Sequence, residues 1–276
     1  MYGRAKIGIA FGGGGARGFV HLGVIKALEE HGLQFHSIAG TSAGSIVGAV
    51  YASGRSFKEI YDMAKKISVK DIKTSKIPLV PSKTDGIQKL IIDNLGDLNI
   101  EELNTPFRAV AVDLKSTKEV CISHGNLAKA VAGSCAVPGV FVPVEFGELL
   151  LADGGLQNTI PADALRFDDC DYVISVDCNK SRTYGTDSTK VMDVISCSIR
   201  ILMKSNAIKG YLYSDLVVAP ETKHFKSTKM NDLDAAIEEG YKTTIDMMPQ
   251  IRALFKKRKP FFNKNKKLST KDIMFV

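Results

Sequence analysis

Short apolar runs alternate along the chain with longer segments in which apolar residues recur every three or four positions. This alternation predicts strands and helices in turn. Residues 6–11 form a predicted strand, a run of glycines follows, and residues 19–31 form a predicted helix that ends at Gly32. Residues 35–39 and 43–53 repeat this plan of strand, tight turn and helix.

The rest of the chain continues the alternation. The predicted helices are residues 56–66, 85–95, 126–132, 191–209 and 233–257, the last with a bend near Pro249. The predicted strands are residues 107–114, 119–123, 140–146, 149–152, 172–176 and 216–219, of which the first four form two hairpins. Residues 68–84 are predicted to be a long loop or lid. The pattern predicts an α/β fold with three layers, α/β/α, around a central, mainly parallel sheet.

Composition places the chain among globular proteins. It has 276 residues, 45% of them hydrophobic, and we expect a single domain over residues 1–255 followed by a basic tail at 256–276. Five scattered cysteines indicate neither a disulfide framework nor a metal site. We therefore expect no metal and no cofactor. The absence of a signal-peptide core and of a long apolar run predicts a cytoplasmic protein.

The positive charge is concentrated near the C-terminus. The formal net charge is +7, and residues 256–271 carry eight lysines or arginines and no acid. Such a stretch is either a solvated tail or a segment that contacts an anionic membrane surface, which would place the protein at the inner face of the membrane. No base-reading motif accompanies the charge, so we do not expect nucleic acid as a partner.

The first candidate for chemistry is Ser42, in Gly40-Thr41-Ser42-Ala43-Gly44. This pentapeptide lies between a predicted strand and a predicted helix. A serine on such a turn is held at a helix N-terminus, exposed to substrate, and the flanking glycines relieve crowding. Ser42 is thus a candidate nucleophile, although the pentapeptide can arise by chance in a chain with 24 glycines.

The glycine run provides the partner that a serine nucleophile needs. Gly13, Gly14 and Gly15 can offer backbone N–H groups to an oxyanion, because they have no side chain to block its approach. The spacing Gly13-x-Gly15-x-x-Gly18 also fits a dinucleotide fingerprint. That fingerprint requires an acid after the second strand, and residues 36–44 contain none, so we favour the oxyanion interpretation.

The residues alone leave the general base open. The order serine, acid, histidine could be Ser42, Asp153 and His224, and His124 is another candidate. His21 lies on the apolar face of its helix and is predicted to be buried. Asp153 precedes Gly154 and Gly155, which allow a tight turn that presents its carboxylate, although such a sequence is often only a turn.

Taken together, three motifs resemble the patatin-like phospholipase family of bacterial type. They are residues 13–18, 40–44 and 153–155, and two supporting segments, 134–143 and 158–161, also match. The resemblance implies a patatin-like fold, related to those of acyl hydrolases and acyltransferases. It also implies a dyad in which Asp153 takes the proton of Ser42. Gly13, Gly14 and Gly15 would form the oxyanion hole and Arg17 would anchor it, with Gly18, Gly40, Gly44, Gly154 and Gly155 supporting the motifs.

The function implied by the resemblance is the hydrolysis of lipid esters through an acyl-enzyme. The reaction would be that of a phospholipase A, a lysophospholipase or a carboxylesterase, without a metal. Two alternatives remain: acyl transfer on the same scaffold, and a lipid-binding regulatory protein with little turnover. Residues 68–84 and the basic tail lie outside the shared pattern, so they do not indicate a substrate.

Overall fold

A computed structural model describes residues 5–66, 81–181, 185–225, 232–256 and the backbone of residues 273–275. A mixed sheet of nine strands runs through these ranges. The strands are β1 (Ile7–Phe11), β2 (Ser37–Thr41), β3 (Phe107–Asp113), β4 (Lys118–Ile122), β5 (Val144–Phe146), β6 (Leu149–Asp153), β7 (Tyr172–Val176), β8 (Leu216–Val218) and β9 (Ile273–Phe275). The main strand order is β5-β6-β3-β2-β1-β7-β8, with β4 paired to β3 and β9 paired to β4.

The centre of the sheet is parallel. Strand β1 lies between β2 and β7, and β3 and β8 continue the parallel pairing on either side. Two hairpins, β3–β4 and β5–β6, are antiparallel, as is the pairing of β3 with β6. The predicted parallel centre and both predicted hairpins are therefore confirmed.

Helices cover the sheet. They are α1 (Val20–Glu30), α2 (Ala43–Ala52), α3 (Phe57–Lys66), α4 (Asp85–Leu95), α5 (Leu127–Ser134), α6 (Val191–Ser205), α7 (Ala207–Tyr213) and α8 (Leu233–Lys256). A 3₁₀ turn at Gly15–Phe19 leads into α1.

Strand residues alternate between two cores, one on each face of the sheet. Phe11 and Ile38 face a large core that includes side chains of α1 to α5 and α8. Their neighbours Ala10 and Ala39 face a smaller core, to which the 3₁₀ helix Ala164–Asp168 and Tyr213 of α7 contribute. This arrangement confirms the three-layer α/β/α prediction.

Two strands, β2 and β6, pair with the same edge of β3, and their positions bring Ser42 and Asp153 together. Val110 pairs with Thr41 of β2, and the next residue, Ala111, pairs with Asp153 of β6. The opposite edge of the same two residues is occupied by β4. The end of β6 therefore lies next to the end of β2 along the same edge, so the residue after β2, Ser42, meets the last residue of β6, Asp153.

The structure differs from the predicted elements in a few places. The predicted helix at 191–209 is two helices, because Asn206 breaks it and its side chain donates to the Leu156 carbonyl oxygen at 2.6 Å. Strand β2 begins at Ser37, two residues later than predicted, where its pairing with β1 begins. Helix α5 extends to Ser134 and is capped by the Asn126 side chain. Only Val144–Phe146 of the predicted strand 140–146 is a strand.

Two predicted surface segments lie mostly outside the described residues. Of the predicted lid at 68–84, only residues 81–84 are described, and Ser82 forms a bridge with Phe141 there. In the predicted tail, Lys256 ends α8 and Ile273–Phe275 pair with β4, so these residues belong to a helix and the sheet. No helix in the described ranges combines the length and apolar character needed to cross a membrane.

Candidate active site

Ser42 occupies a sharp turn between β2 and α2. Its φ of 54° and ψ of −126° lie outside the regions that residues with a side chain prefer, a strain that surrounding contacts must hold. The flanking glycines allow this turn: a Cβ at Gly44 would lie 2.1 Å from the Phe11 carbonyl oxygen, and one at Gly40 would lie 2.4 Å from the Gly44 oxygen. Any larger residue at either position would displace the turn.

Two other serines hold the backbone of Ser42. Its N–H donates to Oγ of Ser134 at 2.9 Å, and Ser134 in turn donates to the Val110 carbonyl oxygen at 2.6 Å. Oγ of Ser45 donates to the Ser42 carbonyl oxygen at 2.7 Å. Sequence reasoning did not give Ser134 this role, although residue 134 begins one of the segments that support the family resemblance.

Asp153 meets Ser42 from the end of β6. Its side chain is fully buried. The backbone N–H donates to the Ala136 carbonyl oxygen at 3.0 Å, and Oδ1 accepts a hydrogen bond from the Gly155 N–H at 2.8 Å. The other oxygen, Oδ2, is buried and has no hydrogen bond of ordinary geometry within the described part of the chain.

Burial gives Asp153 the character of a base near neutral pH. Burial raises the pKa of its carboxyl to about 6, although its interactions with the Ser42 hydroxyl and the Gly155 N–H lower the pKa. Next to this pair, burial and then the charge of Asp153 raise the pKa of the Cys135 thiol, so Cys135 stays neutral. The carboxylate can accept a proton from Ser42, and free enzymes often hold such pairs in looser geometry than the complex with substrate.

The glycine loop lies directly beside Ser42. A Cβ at Gly13 would be 3.3 Å from the Cβ of Ser42. The Gly13 N–H, however, donates to the Thr159 carbonyl oxygen at 3.0 Å and is engaged in this structure. No acceptor for the N–H groups of Gly14 and Gly15 is found among the described residues. That all three glycines donate to an oxyanion stays a prediction, and in this structure Gly14 and Gly15 are the two whose N–H groups have no acceptor among the described residues.

The back of the loop is anchored by Asn179, which sequence reasoning missed. Its Nδ2 donates to the Gly13 carbonyl oxygen, which also accepts from the Cys178 thiol at 3.1 Å. The buried Arg17 guanidinium donates to Oδ1 of Asn179 at 2.6 Å. In a trans peptide the C=O and the following N–H point in opposite directions. Fixing the Gly13 carbonyl thus directs the Gly14 N–H away from Asn179.

A buried polar network lies next to the turn that carries Ser42. The Thr41 hydroxyl donates to the Asn158 carbonyl oxygen at 2.9 Å, next to Ser42. The Asn158 side chain donates to Glu119 at 2.8 Å and to Asp163 at 2.7 Å. Lys209 forms ion pairs at 2.6 Å with both of these carboxylates. The charges are paired, which a buried site requires.

The structure describes all five histidines, and none hydrogen-bonds to Ser42 or Asp153. His21 is buried, as predicted, and its Nε2 lies 2.8 Å from the Gly12 carbonyl oxygen. Burial lowers its pKa to about 4, so the ring is neutral. His124 pairs with Ser123, and His224 is exposed in a loop. The two triads that the residues alone left open are not assembled here.

The sequence of residues 9–166, more than half of the chain, matches the family model for patatin-like phospholipases. The chain belongs to the patatin-like phospholipase family. The matched range contains the glycine loop, Ser42 and Asp153. A glycine loop, a serine turn and an Asp-Gly-Gly turn thus meet at one end of the sheet of a patatin-like phospholipase domain.

Relatives of this domain occur in much longer proteins. An NTE family protein of Mycobacterium bovis is 37% identical over 180 residues, which cover 64% of this chain and 50% of that protein. The yeast lysophospholipase NTE1 is 33% identical over 178 residues, covering 62% of this chain and 11% of that protein. The fly neuropathy target esterase sws is 31% identical over 201 residues, covering 69% and 14%. This chain therefore spans half, or much less, of the length of these relatives.

The fold also matches a solved structure of a distant protein. VipD from Legionella pneumophila superimposes with a TM-score of 0.58 at 14% identity, over 89% of this chain and 67% of that chain. At that identity the match bears on the fold alone. It supports the patatin-like architecture independently of the sequence motifs.

Proposed function

We propose that this protein is a serine acyl hydrolase of lipid esters, with Ser42 as nucleophile and Asp153 as general base. The observation that carries the proposal is the buried carboxylate of Asp153, which interacts with the Ser42 hydroxyl and whose Oδ2 has no hydrogen bond of ordinary geometry among the described residues. Membership of a phospholipase family and similarity to a yeast lysophospholipase support an acyl ester of a lipid as substrate.

In the acylation step, Asp153 takes the proton of the Ser42 hydroxyl as Oγ bonds to the ester carbon. The carbonyl oxygen becomes an oxyanion, and the N–H groups of Gly14 and Gly15 stabilise it. When the tetrahedral intermediate collapses, the bond to the leaving alcohol breaks, and protonated Asp153 returns the proton to that alcohol oxygen. The product of this step is an acyl-Ser42 ester.

In the deacylation step, the same groups act on water. Asp153 removes a proton from water as its oxygen attacks the acyl carbon, and the second oxyanion occupies the same two N–H groups. Collapse releases the fatty acid, and the proton on Asp153 returns to Oγ of Ser42. No histidine is required, because one carboxylate both accepts and donates the proton in each half-reaction.

A fluorophosphonate probe tests the nucleophile directly. We expect the probe to label one serine, and peptide mass spectrometry to place the adduct on Ser42. The same preparation should release fatty acid from lysophosphatidylcholine. Release of acyl groups to an added alcohol faster than to water would favour acyl transfer, and absence of both labelling and turnover would favour a lipid-binding protein without catalysis.

The rate should depend on the ionisation of Asp153. Its base form is the carboxylate, and burial raises its pKa to about 6. We therefore expect kcat/KM to be constant above that pH and to fall tenfold per pH unit below it, since kcat/KM follows ionisation of the free enzyme. The measurement is a pH–rate profile with a soluble p-nitrophenyl ester.

A histidine base would give a similar midpoint, so the profile needs a control. The variant His124→Gln with His224→Gln removes both histidines considered as bases. An unchanged profile in this double variant supports Asp153. A lost or displaced midpoint would contradict the assignment of the base.

Asn179 should affect the rate through the oxyanion hole. The change Asn179→Asp keeps an acceptor for Arg17 but removes the donor to the Gly13 carbonyl oxygen. The Gly13 carbonyl oxygen then keeps only the weaker donor, the Cys178 thiol, so the orientation of the Gly14 N–H is fixed less firmly. We expect kcat to fall about 10- to 100-fold, somewhat less than the loss of a whole oxyanion donor, with little change in KM.

The matched control is Asn94→Asp. The Asn94 side chain also donates to a backbone carbonyl, that of Leu90 at 2.8 Å, but it lies on α4. This change should leave kcat within about twofold of the parent, as expected for a substitution away from the site. If both variants lose stability and activity together, Asn179 is merely structural.

The basic segment at residues 256–271 lies almost wholly outside the described residues, and its contact with an anionic membrane stays a prediction. Deleting residues 256–276 should weaken binding to anionic vesicles at low salt, where exposed charges are least screened. Equal binding with and without the segment would contradict the prediction.

A further inference from the structure

Two consecutive helices, α6 and α7, expose many large apolar side chains. None of the 15 residues of α6 is buried. Of the eleven exposed large hydrophobic residues in the described ranges, eight lie on these two helices. We call them the apolar face: Val191, Val194, Ile195, Ile201, Leu202, Ile208, Tyr211 and Leu212. Soluble proteins seldom expose so large a patch unless it binds something.

The apolar face is a stripe rather than a scatter. Val194, Ile195 and Leu202 lie three, four and eleven residues after Val191, which places the four on one side of α6. The most exposed members are Val191 at 71%, Ile208 and Leu212 at 67% and Leu202 at 61%.

The opposite side of the two helices is fixed to the protein by polar contacts. The Met203 carbonyl oxygen accepts a hydrogen bond from the Thr159 hydroxyl, and Asn206 donates to the Leu156 carbonyl oxygen. Lys209 is ion-paired to two buried carboxylates. These contacts fix α6 and α7, and with them the apolar face, to the rest of the protein.

Helix α6 lies against the candidate active site. The Met203 methyl carbon is 2.3 Å from where a Cβ of Gly155 would stand, so this side chain covers the turn that carries Asp153. The Met192 methyl carbon is 3.8 Å from the corresponding point at Gly139, in the segment that follows Ser134. Helix α6 thus contacts the turn that follows Asp153 and the loop that follows Ser134.

The charges beside the apolar face indicate its partner. Lys190, Arg200 and Lys204 are exposed on or next to α6. The acid in the first turn of α6, Asp193, accepts a hydrogen bond from Ser188. An apolar stripe bordered by cations is typical of helices that lie in the surface of a membrane containing anionic lipids.

We propose that the apolar face of α6 and α7 seats the protein on an anionic lipid surface, with the active site at the edge of the contact. The inference rests on the proposed function for its substrate, since a lipid hydrolase must reach esters that reside in a membrane. The apolar side chains enter the lipid, while Lys190 and Arg200 contact the headgroups.

The experiment measures binding to vesicles without relying on catalysis. Full-length protein carrying Ser42→Ala is floated with vesicles of phosphatidylcholine and phosphatidylglycerol, so no lipid is consumed. Adding Leu202→Gln, Ile208→Gln and Leu212→Gln should lower the bound fraction at least about tenfold, because three exposed apolar anchors are lost. The matched control is Ile92→Gln with Leu114→Gln, two exposed apolar residues elsewhere, which should bind as before.

Two further arms test the partner. Lys190→Gln with Arg200→Gln should weaken binding to anionic vesicles more than to pure phosphatidylcholine, and added salt should erase the difference. In the active protein, the glutamine triple variant should lose at least about tenfold in the ratio of vesicle-lipid to soluble-ester hydrolysis.

Unchanged flotation of the triple variant would overturn the inference. So would a dimer in the parent protein that the triple variant converts to a monomer, since the apolar face would then be a contact between copies of the chain. Normal flotation with no ester turnover would instead retain the inference and reject the proposed function.

Discussion

Replacing Ser42 with alanine is expected to lower kcat/KM for ester hydrolysis by about four orders of magnitude or more. The change removes Oγ, the only protein oxygen that bonds to the acyl group in the proposed mechanism. It leaves the turn intact, because Ser134 and Ser45 hold the backbone of residue 42 and not its side chain. Initial rates with a p-nitrophenyl ester and with lysophosphatidylcholine measure the loss.

Ser53→Ala provides the control for this variant. Ser42 directly precedes helix α2, and Ser53 directly follows it. The Ser53 hydroxyl donates to the Val50 carbonyl oxygen at 2.6 Å, away from the site. Its rate should stay near that of the parent, and fluorophosphonate labelling should persist. Ser42→Ala protein that hydrolyses lipid at a rate close to the parent would exclude Ser42 as the nucleophile.

Replacing Asp153 with asparagine is expected to abolish turnover and to stabilise the fold. The amide cannot accept the proton of Ser42, so kcat should fall by about three to four orders of magnitude, as when a catalytic base is lost. The carboxylate is fully buried, and its charge is therefore unfavourable in the folded state.

The stability gain follows from the direction of the pKa shift. Folding raises the pKa of Asp153 from its ordinary value of 3.8 to about 6. The folded state thus binds the proton more tightly, and stability is lost as the pH rises through about 6. Two pKa units correspond to nearly 3 kcal/mol, so we expect asparagine to add roughly 1–3 kcal/mol to the free energy of unfolding above that range.

Denaturant titrations at two pH values check this expectation. The gain should be present near pH 8 and should shrink toward pH 4, where the carboxyl is protonated in the folded state and about half protonated in the unfolded state. Asp93→Asn, at an exposed position on α4, should show neither the gain nor the loss of turnover. Asp153→Asn protein that is less stable at pH 8 would mean that the carboxylate serves to hold the fold together.

Local patterns in the sequence predicted much of the fold. The boundaries of α4 and β7 agree with the apolar periodicity, because each element stands between clear capping or turn signals. The glycines around Ser42 predicted the strained turn, since only small residues allow the close approaches seen there. The resemblance of the three motifs to a family added the pairing of Ser42 with Asp153.

Other features depended on contacts between distant parts of the chain. Helical periodicity at 191–209 predicts a helix but not the break at Asn206, which a hydrogen bond to Leu156 accompanies. The same periodicity does not say which side of the helix is covered, so the apolar face of α6 could not be foreseen. Asn179 has no local motif, because its partners Arg17 and Gly13 lie more than 160 residues away.

The sequence by itself determined the parts of the site: a serine between glycines, a glycine loop after the first strand, and an aspartate before two glycines. These are local requirements of backbone geometry and chemistry, and local sequence can state them. Only the tertiary structure decided how the parts meet. Strands β2 and β6 end together on one edge of β3, which brings Ser42 to Asp153, and the Gly13 N–H donates to the Thr159 carbonyl oxygen, which is why we propose Gly14 and Gly15 as the oxyanion donors.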